Sequence, residues 1–242
     1  MNFSDSSTLR RRGLSALNNN WQTALTVTFV AGLLGMLQST FQVRLNADWL
    51  FTRPISEYFS HVASSLVPYN PLLTLIAILQ FLFAPALNIG LNTYFIMMHK
   101  SENPPLSLLF SRLRVWTRCL GLMLLMYIFI FLWSLLLVVP GIVAAYSYSM
   151  APFLMAENPD IGAFEAIRRS KTMMAGHKGR LFCLHLSFIG WALLSAVAVG
   201  LLNSILGFVG TALGLVVSIA LWVYVNSSVT AFYMELSSQR SI

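Results

Sequence analysis

The chain has 242 residues, of which 57% are hydrophobic and only 10% are charged. Soluble domains carry roughly 25% charged residues, so this composition excludes an ordinary water-soluble globule. The formal net charge is +7. Nucleic-acid-binding proteins place such an excess on a soluble basic face, whereas here the bases lie between apolar runs. We therefore expect a membrane protein and no nucleic-acid partner.

Two long uncharged runs define the predicted architecture. Residues 119–156 and 181–234 contain no Asp, Glu, Lys or Arg over 38 and 54 residues. Each run is long enough for two bilayer crossings at roughly 20 residues per helix. The sequence thus predicts an all-α, polytopic integral membrane protein with a single membrane domain over residues 1–242. Its six transmembrane helices are expected at about residues 21–38, 71–98, 119–139, 142–155, 181–202 and 206–232.

The residues before the first span bear on whether it is cleaved as a signal peptide. Arg10, Arg11 and Arg12 followed by an apolar run are typical of a signal peptide, but no small-residue cleavage site follows at a suitable distance. We therefore predict an uncleaved first span. The segment 39–70 mixes aromatic and charged side chains, which is typical of a loop lying along the headgroup layer.

The distribution of bases predicts the orientation. With six crossings, 13 of the 15 Lys and Arg residues share a side with the N-terminus, which leaves Arg44 and Arg53 opposite. Cytoplasmic segments carry such an excess, so both termini are expected to be cytoplasmic. The fourth span is short, since 14 residues of helix reach about 21 Å against roughly 30 Å of hydrocarbon. Bases on both sides of residues 119–156 favour an even number of passes, whether the fourth segment crosses fully or is partly re-entrant.

Pro140 and Gly141 lie between two apolar runs. Proline lacks a backbone donor and disfavours helix at the preceding residue, while glycine tolerates positive φ. The pair predicts the outer turn of a helical hairpin. The alternative is a kinked helix that lines a cavity.

Polar side chains inside two spans have two interpretations. Asn88 and Asn92 are four residues apart and lie on one helical face of span two. Span four contains the run Tyr146, Ser147, Tyr148 and Ser149 before Pro152. Since polar groups facing lipid are costly, each face should pack against another helix or line a polar cavity. Interhelical packing is the first interpretation, and a permeation or binding surface is the second.

The internal segment 157–180 predicts an amphipathic helix against the cytoplasmic leaflet. Apolar residues recur at near-helical spacing, and Glu165 can pair with Arg169 one turn later. The bases expected to contact lipid headgroups or a partner are Arg168, Arg169, Lys171 and Lys178. Anchoring to the anionic bilayer is the first predicted role, and docking of a soluble partner or gating is the second.

The usual signatures of catalysis are missing from the sequence. It contains no HExxH, no GxSxG, no Walker loop and no His/Cys spacing typical of a metal site. No nucleophile and base pattern or acid and base pair is visible. We expect no enzymatic activity and no cofactor.

The middle of the chain resembles an uncharacterised bacterial membrane family, domain of unknown function nine hundred seventy-five. The likeness is carried by PGI at 140–142, AYSYSMAP at 145–152, ENPD at 157–160 and EAIRRSK at 165–171. Gly179 departs from the pattern, where an aromatic residue is common. The family is distantly similar to the membrane region of some glycerophosphodiester phosphodiesterases. The resemblance implies a multi-pass protein of a bacterial plasma (inner) membrane and implies no activity.

Three functions remain from the sequence. The first is a non-catalytic membrane module that binds anionic lipids or a membrane or cytosolic protein partner, in peptide handling or self-protection for example. The second is a small transporter or channel that uses the polar faces of spans two and four. The third, a membrane enzyme, has the weakest support.

Overall fold

A computed structural model describes residues 5–18, 20–36, 71–100 and 104–239 of the chain. These residues form helices joined by short turns, and no strand occurs among them. The all-α prediction is therefore confirmed for this part of the chain. The α-helices are α1 Ser6–Leu17, α2 Trp21–Met36, α3 Pro71–His99, α4 Trp116–Leu136, α5 Val138–Tyr148, α6 Ala151–Glu157, α7 Ala163–Met173, α8 Lys178–Leu206 and α9 Phe208–Ser238.

Five segments of the described residues are long and apolar enough to cross a bilayer. They are Ile78–His99, Leu106–Leu136, Val138–Glu157, Lys178–Leu206 and Ala212–Ser238. The first predicted span, 21–38, contains α2, but its last two residues lie outside the described residues. The predicted interfacial loop at 39–70, with Arg44 and Arg53, also lies outside them. The structure thus supports a membrane protein with at least five candidate spans.

The hairpin turn lies three residues before its predicted position. α4 ends at Leu136, and Leu137 is extended with φ −166° and ψ 151°. The chain reverses within a few residues of Gly141, as predicted, but Pro140 and Gly141 lie within the first turn of α5, so the break is at Leu137 and not at the pair. The physical reason is that the first turn of a helix needs no internal N–H donors, so proline starts a helix there as readily as it ends one.

The return of the chain after Leu137 is tight. The rings of Phe129 on α4 and Tyr148 on α5 lie 6.2 Å apart between centroids, although a continuous helix would separate these residues by about 28 Å. An ideal Cβ at Gly141 would lie 3.0 Å from the Cα of Ser134. The absence of a side chain at Gly141 therefore allows the two helices to meet.

Charged side chains at the ends of several helices bond to each other. Ion pairs and hydrogen bonds join the ends of α1, α3, α4, α6, α8 and α9 into a surface that we call the polar end. It is defined by Arg12, Lys100, Arg112, Arg118, Glu157, Asp160, Arg180 and Glu235. Away from the polar end, many large apolar side chains are exposed, such as Leu135 at 70% and Ile205 at 77%. In a bilayer these surfaces face lipid or another membrane helix.

The N-terminal helix α1 is a structural element that the sequence patterns did not predict. Leu9, Gly13 and Leu17 are spaced by four residues and form its buried face. An ideal Cβ at Gly13 would lie 3.0 Å from the Cα of Ser228 on α9. The Ser227 hydroxyl donates a 2.9 Å hydrogen bond to the Gly13 carbonyl. The first helix of the chain therefore packs directly on the last.

The close contact at Gly141 gives a stability prediction. Gly141→Ala should destabilise the fold by about 1–3 kcal/mol, because the new methyl group overpacks the α4–α5 contact. The control is Gly121→Ala on α4, where a Cβ would meet nothing within 4 Å. That change should be neutral or add up to about 1 kcal/mol of helix propensity. Thermal unfolding in a mild detergent measures both, and equal midpoints for the two variants would contradict the tight hairpin.

Candidate functional site

The two predicted amides of α3 lie in different environments. Asn92 is buried at 7% exposure. Asn88 is exposed and lines a groove of about 110 Å³ between α3 and α4. The other lining residues of this groove are Phe81, Ala84, Pro85, Leu120, Met123, Leu124 and Tyr127. The structure therefore does not place the two amides side by side in one polar cavity.

The polar run of α5 packs against neighbouring helices. The Ser147 hydroxyl donates to the Val143 carbonyl at 2.7 Å, and the Ser149 hydroxyl donates to the Tyr146 carbonyl at 2.8 Å. The Tyr146 ring packs edge-on against Phe182, with 5.9 Å between centroids. Tyr148 is buried beside Phe129. These contacts favour the packing interpretation, since both serine hydroxyls use carbonyls of their own helix.

Ser170 is a buried polar residue that sequence reasoning missed. Its hydroxyl donates to the Ser147 carbonyl at 2.8 Å and accepts from the Met150 N–H at 3.1 Å. Met150 stands at the break between α5 and α6, where helical hydrogen bonds are lost. Ser170 thus replaces those bonds and attaches α7 to the break. Its place on the apolar face of α7, three residues after Ile167, was the available signal.

The basic residues of α7 surround one carboxylate. Glu165 accepts from Arg169 at 2.7 Å and forms an ion pair with Arg168 at 2.6 Å. The hydrogen bond from Arg169 lowers the pKa of the Glu165 carboxyl, so the pair is lost only as pH falls through that lowered pKa. The Arg168 side chain is 71% exposed, and Lys171 is exposed beside it. Lys178, at the start of α8, is half-buried.

Glu235 is the most connected acid at the polar end. Its carboxylate accepts from Arg12 on α1 at 3.2 Å and from Arg180 on α8 at 2.6 Å. The Glu235 side chain is only 9% exposed. Arg180 also lies over the Phe232 ring, 5.4 Å from its centroid. One carboxylate on α9 therefore holds three helices together.

Glu157 makes a second junction close by. The Tyr233 hydroxyl donates to one of its oxygens at 2.6 Å, and Lys100 lies 3.3 Å from the other. Arg112 donates to the carbonyl of Ala156 and to the Thr93 hydroxyl. These bonds join the end of α6 to α3, α9 and the segment before α4. Glu157 and Glu235 each follow the end of a long uncharged run, and this position was the sequence signal for the two junctions.

Two open clefts flank these junctions. One, of about 430 Å³, is lined by Leu154, Glu157, Arg169, Met173, Tyr233 and Ser237. The other, of about 370 Å³, is lined by Arg12, His99, Ala231, Met234, Glu235, Ser238 and Gln239. Each cleft combines a carboxylate, a guanidinium and a serine hydroxyl with apolar walls.

Groups suited to metal binding are not found in the part of the chain that the structure describes. No cluster of three or more His, Cys, Asp or Glu side chains occurs there. Cys119 and Cys183 are both free thiols, the first buried and the second exposed.

Comparison with known proteins finds a family model that matches part of the chain. Residues 134–240 match the family described as Protein of unknown function (DUF975). The match covers α5 to α9 and therefore includes the residues of α7, Glu157 and Glu235. No curated protein and no solved structure matches the chain. The resemblance to this family is thus shown, while the distant similarity to glycerophosphodiester phosphodiesterases is not.

The buried Glu235 junction can be tested against an exposed ion pair. Glu235→Gln should lower the free energy of unfolding by about 2–4 kcal/mol, because it leaves Arg180 with a weakened partner in a mostly buried site. The matched control is Asp160→Asn, whose carboxylate pairs with Arg118 at 3.0 Å but is 88% exposed. That change should cost about 1 kcal/mol or less. Thermal unfolding in detergent decides, and an equal loss in both variants would refute the central role of Glu235.

Proposed function

We propose that this chain, which shares its C-terminal part with a family of unknown function, is a non-catalytic multi-pass membrane protein whose polar end, together with the helix α7, binds anionic lipid headgroups. The observation that carries the proposal is the charge imbalance of the described segments. The described segments contain twelve Lys and Arg residues but only five Asp and Glu. Four of those five acids already pair with bases of the protein itself. The surplus of positive charge is therefore available to phosphate groups.

The exposed bases are held by packed helices. α7 contacts the rest of the protein through Ala166, Ile167, Ser170 and Met173, all of which are buried. Its opposite face presents Arg168 and Lys171 together with Phe164, which is 65% exposed. A helix with a basic face and an exposed aromatic residue is typical of the membrane interface. Within the described part, neither Lys171 nor Arg114 forms an ion pair with an acid, which leaves both for headgroups.

We further propose that the polar end is cytoplasmic, that both termini lie on that side and that six helices cross the bacterial inner membrane. α2 supplies the sixth crossing, and α5 with α6 supplies the fourth. One support is the distribution of Lys and Arg, which follows the positive-inside rule. The other is that ion pairs join predicted cytoplasmic segments to each other, as in Arg12 with Glu235 and Lys100 with Glu157.

A transporter receives less support from the described residues than lipid binding does. Ser147 and Ser149 are bonded within their own helix, and Asn88 and Asn92 differ in exposure. A permeation path needs polar groups that converge on a shared space. Asn92 and Ser147 are instead buried among packed helices.

The lipid-binding role predicts a loss of affinity on charge removal. Replacement of Arg168, Arg169 and Lys171 together by Gln should weaken phosphatidylglycerol binding about tenfold or more, since each base near an anionic surface contributes about 1 kcal/mol. The full-length protein is titrated in detergent micelles and its lipid adducts are counted by native mass spectrometry. Phosphatidylcholine serves as the zwitterionic lipid control, and Lys171→Arg as the variant that retains its charge. Unchanged phosphatidylglycerol affinity in the triple variant would refute the proposal and leave α7 as a surface for a protein partner.

The orientation is tested by cysteine labelling. In a Cys183→Ser background, Thr172→Cys on the exposed face of α7 should react with an impermeant maleimide only after the cells are permeabilised. Ser204→Cys, at the opposite end of α8, should react in intact cells. Cys119 is buried and stays in place. Labelling of residue 172 in intact cells would contradict the proposed orientation and indicate the opposite one.

A further inference from the structure

The larger of the two clefts at the polar end lies between α6, α7 and α9. Its volume of about 430 Å³ falls within the roughly 300–1,000 Å³ of small-molecule sites. Two apolar and four polar residues line it, namely Leu154, Met173, Glu157, Arg169, Tyr233 and Ser237. The hydrogen bonds that the polar residues already make determine what each can still offer to a ligand.

Arg169 supplies hydrogen-bond donors to this cleft. Its Nε donates to the Glu165 carboxylate at 2.7 Å, and its two terminal nitrogens donate to no described residue. The same carboxylate lies 2.6 Å from Arg168, so it is already matched by two bases. A guanidinium with free terminal N–H groups is well suited to phosphate oxygens. Arg169 therefore offers a place for one phosphate group.

Glu157 and Ser237 supply acceptors to the same cleft. Each Glu157 oxygen has one neighbour, the Tyr233 hydroxyl at 2.6 Å or the Lys100 ammonium at 3.3 Å. A carboxylate has about four lone-pair sites, and the Glu157 side chain is 32% exposed, so it can accept further hydrogen bonds. The Ser237 hydroxyl donates to the Met234 carbonyl at 3.1 Å, which leaves its lone pairs for a ligand. The cleft thus presents both donors and acceptors.

The charges around the cleft match one anion. Three bases, Lys100, Arg168 and Arg169, form ion pairs with two acids, Glu157 and Glu165. This cluster carries one net positive charge. A phosphodiester has one negative charge and neutralises it, although a carboxylate lies in the same cleft.

We propose that this cleft binds a phospholipid headgroup whose phosphate is followed by an N–H or O–H donor, as in phosphatidylethanolamine and phosphatidylglycerol. The phosphate pairs with Arg169, the headgroup donor bonds to Glu157, and Leu154 and Met173 provide an apolar wall for the glycerol carbons. The inference rests on the proposed lipid-binding function and adds selection by hydrogen bonding to attraction by charge. A choline headgroup has no such donor, so it gives the carboxylate no partner.

Two lipids of equal net charge test the hydrogen bond. Phosphatidylethanolamine and phosphatidylcholine are both zwitterionic, but only the first has N–H donors. With identical acyl chains, the full-length protein in detergent should bind phosphatidylethanolamine about tenfold or more tightly, as one hydrogen bond to a charged group contributes. The N,N-dimethyl lipid keeps one N–H and should bind like phosphatidylethanolamine. Native mass spectrometry measures all three, and equal binding of the ethanolamine and choline lipids would overturn this inference while leaving the charge-based proposed function intact.

Two neighbouring arginines test the phosphate contact. Arg168 and Arg169 both pair with Glu165, but only Arg169 lines the cleft. Arg169→Gln should weaken phosphatidylethanolamine binding about tenfold or more, because a charge-assisted bond to phosphate is lost. The matched control Arg168→Gln should stay within about twofold, since this lipid has no net charge to attract an exposed base. An equal loss in both variants, or no loss in either, would overturn the assignment to the cleft.

Other occupants of the cleft give different results in the same assay. Phosphoethanolamine is the headgroup without the lipid, and binding as tight as that of the lipid would overturn the lipid assignment in favour of a soluble phosphate ester. Residues 101–103 and 240–242 lie outside the described residues and follow Lys100 and Gln239 in the chain. Glu102→Gln and removal of residues 240–242 should each leave the preference for phosphatidylethanolamine unchanged. A preference that appears only in these variants would overturn the proposal and assign the cleft to the chain itself.

Discussion

Two carboxylates at the polar end, Glu157 and Glu235, organise this fold. Apolar helices gain little from packing against each other in lipid, because hydrocarbon tails solvate them as well as leucine does. Specific assembly therefore depends on polar contacts and close packing. Glu235 attaches α1 and α8 to α9, and Glu157 attaches α3 and α9 to α6. Both acids lie at the ends of long uncharged runs, where a carboxylate can stay hydrated on one side and bonded on the other. The exposed apolar halves of the helices extend from this base.

The five candidate spans among the described residues were predictable, because bilayer thickness fixes the length of an uncharged run. The pairing of Glu165 with Arg169 was also predictable, since four-residue spacing brings two side chains together on any helix. The position of the hairpin was not. Proline both starts and ends helices, so Pro140 alone does not tell which residue is the break, and the extended residue is Leu137. Local chemistry predicts that a turn exists more reliably than it predicts the residue at which the turn occurs.

The junctions themselves could not be predicted from local patterns. Arg12 and Glu235 are separated by 223 positions, and Arg180 and Glu235 by 55. Nothing in the neighbourhood of either base indicates which acid it meets. Ser170 lies in a helix with charged neighbours, and its buried bonds depend on a break in a different helix. Such contacts follow from the tertiary arrangement, so the sequence supplies the charged groups but not their partners.

The packing of α1 against α9 has a consequence for biosynthesis. The Gly13 contact and the Arg12 ion pair both require residues near the end of the chain, at Ser228 and Glu235. Chains emerge from the ribosome N-terminus first, so α1 is complete long before its binding surface exists. During that interval the surface of α1 that contacts α9, at Arg12 and Gly13, is not yet covered. Synthesis of α9 must precede its contact with α1, which makes the closing of the polar end one of the last steps of assembly.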